Sequence, residues 1–261
     1  MAAGHRLLIN LLWVMDILYR DDHLVAVNKP SGLLVHRSPI DRHETRFAMQ
    51  LLRDQLGQRV YPLHRLDKPT SGVLLFALDE VSARLMMPVF SGGNIQKQYL
   101  AVVRGYTAAA DSIDYPLREL LDKMTDARVD PDKAAQAAIT TYQRLATVEL
   151  PQAVGRYPTA RYSLLSLTPK TGRKHQLRRH MKHIFHPIIG DTTHGDGRHN
   201  RFFRESLDCH RLLLAATRIT FKHPLTNEDL ELRAPVDESF AQVLQQLGWR
   251  GLCQDLGLGF E

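Results

Sequence analysis

The sequence predicts an α+β fold on a mostly antiparallel sheet. Three observations carry that reading: short β-like runs dominate the chain, a few stretches of helical spacing fall between them, and 44% apolar residues over 261 positions supply a substantial core. The chain opens on an apolar run, Leu7 to Met15, behind His5 and Arg6. No small-residue cleavage site follows, and residues 16–28 already alternate like a strand, so a signal peptide is a poor reading. Met15 is the expected start, with residues 1–14 an upstream extension, a catalytic domain over 15–251 and a tail over 252–261. Nothing else approaches transmembrane length.

The β-like runs are 24–28, 33–36, 72–78, 99–104, 139–146, 162–168 and 212–221. Helical spacing at Phe47, Leu51, Leu52 and Leu56 predicts a helix over 44–57, and residues 79–90 predict another before the Ser91-Gly92-Gly93 turn. A third is predicted over 171–185, with Leu177, Met181 and Ile184 on its apolar face and Thr171 as cap. Residues 111–136 are polar and charged and read as a surface insertion. There is no internal repeat.

The formal charge of +6 favours a polyanionic partner, nucleic acid first. No Asp or Glu occurs from Pro151 through Gly190, where Arg156, Arg161, Lys170, Arg173, Lys174, Arg178, Arg179 and Lys182 all fall. Cations alone are as readily a solvated face. Here they coincide with the third helix, whose first-turn backbone donors also suit phosphate. Two cysteines, Cys209 and Cys253, are too few for a disulfide framework and fit a reducing cytoplasm.

The stretch His64-Arg65-Leu66-Asp67-Lys68-Pro69-Thr70-Ser71-Gly72 sets one carboxylate between two cations, directly before an apolar strand. An isolated Asp before Pro is ordinarily a turn. This stretch, however, closely resembles the catalytic loop of the pseudouridine synthase family that modifies ribosomal and transfer RNA. Four further segments match that family in order: Asn28-Lys29-Pro30-Ser31-Gly32, Lys97 to Gly105 around Tyr99, Lys170 to His180 around Arg178, and His186 to Asp191. Lys68-Pro69, with residues 191–201 and 248–251, resembles the branch that acts on uridine 65 of tRNA.

The resemblance implies an isomerase whose α+β catalytic domain has a central cleft. Asp67 would act at the sugar, attacking carbon 1 or taking the proton of carbon 2. Arg178 would ion-pair with Asp67, and Tyr99 would stack on the displaced base and help remove its carbon 5 proton. Leu177 would pack beneath the base, and Arg65 would fill the space left by the flipped nucleotide. Lys97, Arg173, Lys174 and His175 would contact RNA. Read alone, Tyr99 and Leu177 are ordinary core positions and Arg178 one more phosphate contact.

The six histidines 175, 180, 183, 186, 194 and 199 crowd together, but no carboxylate or Cys completes a motif such as His-Glu-x-x-His, so no metal is expected. No phosphate-cradling or dinucleotide loop appears and base isomerisation is redox-neutral, so no cofactor is expected either. The expected partner is tRNA, with no membrane and no obligate protein partner, and the chain is expected to be a monomer. The rival within the class is a synthase for large-subunit ribosomal RNA, and outside it a non-catalytic RNA-binding or RNA-folding protein. Asp67, Tyr99 and Arg178 present together discriminate against the latter, since an RNA binder has no need of a lone carboxylate beside its cations, which repels phosphate.

Overall fold

A computed structural model describes residues 14–37, 43–119, 134–249 and 251–252. One mixed sheet holds its ten described strands: β1 Asp16–Arg20, β2 Leu24–Lys29, β3 Tyr61–Pro62, β4 Ser71–Ala77, β5 Ile95–Arg104, β6 Ala110–Asp114, β7 Ile139–Leu150, β8 Ala160–Pro169, β9 Leu214–Lys222 and β10 Asp229–Arg233. Its five described helices are α1 Ala48–Leu56, α2 Glu80–Ser91, α3 Gln176–His183, α4 Gly197–Leu207 and α5 Glu238–Gln246. The main strand order is β1-β2-β4-β9-β5-β8-β7-β6, with β3 beside β4 and β10 beside β9. Every named pairing is antiparallel except β4 with β9, which is parallel and only two residue pairs long.

That short junction joins two halves of the sheet. At it, Gly72 has φ 109°, and a Cβ there would stand 2.1 Å from the Ala216 carbonyl oxygen. Only glycine permits this approach. Strand alternation then sorts side chains between two faces. Val25, Val27, Leu74 and Phe76 pack with α1, and Ala101, Val103, Leu165 and Leu167 with Leu177 and Met181 of α3. The other set packs Val73 and Leu75 with Met86 of α2, and Leu100, Val102 and Leu164 with α4 and α5 through Phe203, Phe240 and Leu244.

Several expectations need correction. Residues 33–36 form no strand beyond a single bridge from Leu34 to Phe47. Instead the carbonyls of Leu34 and Val35 accept the Ala48 and Met49 N–H groups, serving as the N-terminal cap that α1 lacks from any side chain. The presumed insertion begins as edge strand β6, paired to β7, and a Leu117–Gln136 bridge continues it. Its remainder, 120–133, lies outside the described residues, as do 1–13 and 253–261, so the expected extension and tail are almost wholly outside them. Thr171 does not cap the third helix: α3 starts only at Gln176, and Thr171 Oγ1 instead accepts the Ile139 N–H and donates to Gln176 Oε1. Among the described residues no helix is long and apolar enough to cross a membrane.

Candidate active site

Asp67 lies in the loop between β3 and β4, and its carbonyl accepts the Thr70 N–H at 3.0 Å to close a turn. The early Asn-Lys-Pro turn clamps that loop from behind. Lys29 is fully buried, and its Nζ donates to the carbonyls of Pro30, Leu33 and Lys68 at 2.8, 2.8 and 3.2 Å, one acceptor for each ammonium proton. Burial and the charge of Arg211 push its pKa down to about 7, with Asp67 working against them. Ser31 Oγ donates to Pro69 O and the Gly32 N–H to Lys68 O, so the two turns are stitched at three points. Lys68 Nζ pairs with Glu44 at 2.9 Å. At the head of the loop, His64 Nε2 accepts the Leu75 N–H.

The opposite wall is α3 and the loop before it. Gln176 holds that loop: its Oε1 accepts from Arg173 N–H, and its Nε2 donates to Ile139 O and Thr140 Oγ1. Two residues on, Arg178 points into the interior with only 5% of its side chain exposed. Its Nε and Nη2 form a bidentate pair with Asp191 at 2.7 and 2.8 Å, and its Nη1 reaches Asp67 Oδ2 at 3.1 Å. Asp191 is itself 1% exposed and accepts the Thr193 and His194 N–H groups. Burial alone would raise the Asp191 carboxyl, but the Arg178 bonds, the His194 and Thr193 N–H groups and the Arg178 charge hold it below its ordinary value. Such planar two-point recognition fixes guanidinium orientation. Arg178 thus arrives at Asp67 already aimed.

Between the walls is a cleft of ≈ 360 Å³, of a size that takes a small-molecule group. Tyr99, Leu177 and Leu214 supply apolar surface, while Arg65, Lys97, Arg173, Lys174 and His175 bring polar and charged groups to its walls. Burial, then the Asp67 charge, push the Tyr99 phenol up, so its hydroxyl is protonated at neutral pH. Lys97 Nζ lies 5.0 Å over the Phe90 ring, and burial lowers its pKa. Arg65 and Lys174 are exposed at the rim, and Arg173 Nε donates to Ala137 O. All nine residues singled out in the sequence therefore line one cavity.

Asp191 is the residue that sequence reasoning left without a role. Its signal was weak: a carboxylate after Gly190, whose φ is 80° and whose Cβ would meet the Arg211 carbonyl oxygen at 1.8 Å. The crowd of histidines disperses. His175 and His194 face each other, His180 bonds Thr140 and the Tyr115 carbonyl, His183 stacks on Tyr115, His186 bonds the Arg104 carbonyl, and His199 bonds Tyr162. Among the described residues no three His, Cys, Asp or Glu side chains are grouped to hold a metal ion.

The family model described as RNA pseudouridylate synthase matches residues 23–183. A protein of Vibrio cholerae serotype O1 described as tRNA pseudouridine synthase C is 55% identical over 237 residues, 91% of this chain and 97% of that protein. One of Haemophilus ducreyi with the same description is 56% identical over 235 residues, 90% and 96% of the two. Among solved structures, Human RNA Pseudouridylate Synthase Domain Containing 4 superposes with a TM-score of 0.67 at 25% identity, covering 89% of this chain and 93% of that one. Human RNA Pseudouridylate Synthase Domain Containing 1 gives 0.65 at 25% identity, covering 88% and 87%. The model spans the Asp67 loop, Tyr99 and Arg178 together, and the relatives match nearly end to end, so the chain belongs to the RNA pseudouridylate synthase family.

Proposed function

We propose that this enzyme converts a uridine of tRNA to pseudouridine, with Asp67 as the essential carboxylate. The observation that carries the reading is the Asp191–Arg178–Asp67 array, buried at Asp191 and Arg178 and open at Asp67 to a basic cleft. In the reaction the bond from ribose carbon 1 to base nitrogen 1 breaks, a bond from carbon 1 to base carbon 5 forms, and the carbon 5 proton is lost as nitrogen 1 gains one. Asp67 acts at the sugar, by attack on carbon 1 or by removal of the carbon 2 proton, and Arg178 fixes its rotamer. The Tyr99 ring stacks on the freed base, with Leu177 beneath. Because the Tyr99 hydroxyl is protonated, it relays the carbon 5 proton only by passing its own onward.

The base reaches this cleft flipped out of its helix, which costs a few kcal/mol of stacking and pairing. Phosphate contacts from Arg173, Lys174 and their neighbours offset that cost, and Arg65 fills the vacated space. The tRNA substrate is supported by relatives at 53–56% identity described as tRNA pseudouridine synthase C. Position 65 rests on the resemblance of Lys68-Pro69 and of residues 191–201 and 248–251 to the branch that acts there.

Asp67→Asn keeps the size and loses the charge. With this variant, tRNA binding is expected within about twofold of the parent and product formation below detection by chemical labelling and primer extension. Mapping pseudouridines in RNA from cells with and without the gene names the substrate; a missing mark in large-subunit ribosomal RNA with tRNA unchanged would reassign it.

A further inference from the structure

We propose that the gap between His175 and Asp67 reads the 2′-hydroxyl of the target nucleotide, and that His194 prepares His175 to do so. The inference rests on the reading above, that the uridine sugar lies against Asp67. It begins with a backbone irregularity. His175 stands immediately before α3 at φ 55°, a left-handed conformation that costs a non-glycine residue about 1–3 kcal/mol, and it makes no side-chain capping bond in return. What the conformation accompanies is an imidazole on the cleft wall, with Nδ1 3.0 Å from His194 Nε2 and Nε2 3.9 Å from Asp67 Oδ2.

Two imidazoles at 3.0 Å share one proton. Burial lowers the pKa of both, His175 to about 4, so both are neutral at physiological pH. Of the two possible proton positions, one leaves a bare lone pair on His175 Nε2 facing the Asp67 carboxylate. The other has His194 Nε2–H donate to His175 Nδ1 and sets an N–H on His175 Nε2, facing that carboxylate. Electrostatics favours the second. His194 is in turn placed by Asp191, which accepts its backbone N–H at 2.8 Å.

At 3.9 Å the His175 N–H and the carboxylate are too far apart to bond directly. One oxygen at about 2.8 Å from each bridges them in a bent arrangement. Such an atom must accept from N–H and donate to a carboxylate, which a hydroxyl does and a carbonyl oxygen does not. Asp67 works at sugar carbon 1 or carbon 2, so the hydroxyl nearest to it is the 2′-OH. That group also distinguishes RNA from DNA.

The test uses two RNA stem-loops, one all-ribose and one with a single 2′-deoxyuridine at the target. It measures kcat/KM on the first and the inhibition constant of the second as its competitor. In His175→Phe, kcat/KM on ribose RNA is expected to fall roughly tenfold, one lost hydrogen bond, with the inhibition constant of the deoxy RNA unchanged. His194→Ala follows in the same direction, and His175→Gln, which restores an N–H donor, recovers most of the loss. If His175→Phe does not fold, His194→Ala decides. Equal worsening of both constants in both variants, or no change in either, overturns the inference. Absence of product from the parent on ribose RNA is a different result and counts against the proposed function.

Discussion

Arg178 directs N–H donors at two carboxylates from opposite sides of its guanidinium, and the two are not equivalent. Asp191 is buried and bound at two points, whereas Asp67 is bound at one and has 21% of its side chain exposed to the cleft. The geometry makes Asp191 the anchor and leaves Asp67 an open side toward substrate. Breaking a buried pair leaves a charge uncompensated, at a cost of roughly 3–5 kcal/mol. Asp191→Asn is expected to lower stability by about 3 kcal/mol in urea unfolding, and to slow turnover because Arg178 loses the partner that aims it. A midpoint indistinguishable from the parent's would show that Arg178 holds its place without Asp191. Sequence reasoning reached Asp67, Tyr99 and Arg178 through local patterns around each. It gave Asp191 no role, although the matched segment His186 to Asp191 ends on it, because an anchor that touches no substrate declares no chemistry through its neighbours.

At the scale of elements, alternation made most strands legible, since a buried strand with one residue type per face declares itself locally. Segment 33–36 shows where this fails: Leu33 and Val35 alternate inward as a strand would, yet the carbonyls between serve a helix terminus. Helices α4 and α5 escaped notice although each buries an apolar residue set, Phe203 beside His199 in one, Phe240, Val243 and Leu244 in the other. Their caps, Asp196 and Asp237, were the available signal. Least legible was the β4–β9 junction, which pairs Ser71 with Ala215 and Gly72 with Ala216 across the length of the chain. It sets the loop of Asp67 beside the half of the sheet that carries Tyr99. Gly72→Ala would push a Cβ against the Ala216 backbone and strain a positive φ, each effect worth about 1–3 kcal/mol. The variant is expected to melt well below the parent and, where still folded, to lose turnover by displacing Asp67. An unchanged melting temperature would mean that β4 and β9 separate there at no cost.

For the whole molecule, the formal charge of +6 pointed to a polyanion, but net charge is silent on which ionisable groups the fold buries. Five histidines are among the groups that burial affects. Burial holds His64 down to about 3 and His175 to about 4, and lowers His180, His194 and His199 as well. Hydrogen bonding agrees at His64, whose Nε2 must be unprotonated to accept the Leu75 N–H. An unfolded chain binds protons at these sites near pH 6.5, while the folded chain resists until much lower pH. The unfolded state therefore carries more protons between those limits, and stability rises with pH across them. The contribution is fully present above about pH 6.5 and drains away as pH falls toward 4, each such histidine adding up to about 1.4 kcal/mol per pH unit. The lowered carboxyls of Asp191 and Asp196 stay charged through most of this window, so they add their own loss only at its acid end. Urea midpoints measured from pH 7.5 to 4 are thus expected to decline gently at first, while buried Lys29 is still taking up its proton, and to fall steeply below about 6.5 as the histidines follow. His64→Gln, which retains an acceptor for Leu75 without a titrating ring, should make that fall shallower. A midpoint constant from pH 7 to 5 would mean that these imidazoles take up protons inside the fold as readily as in water.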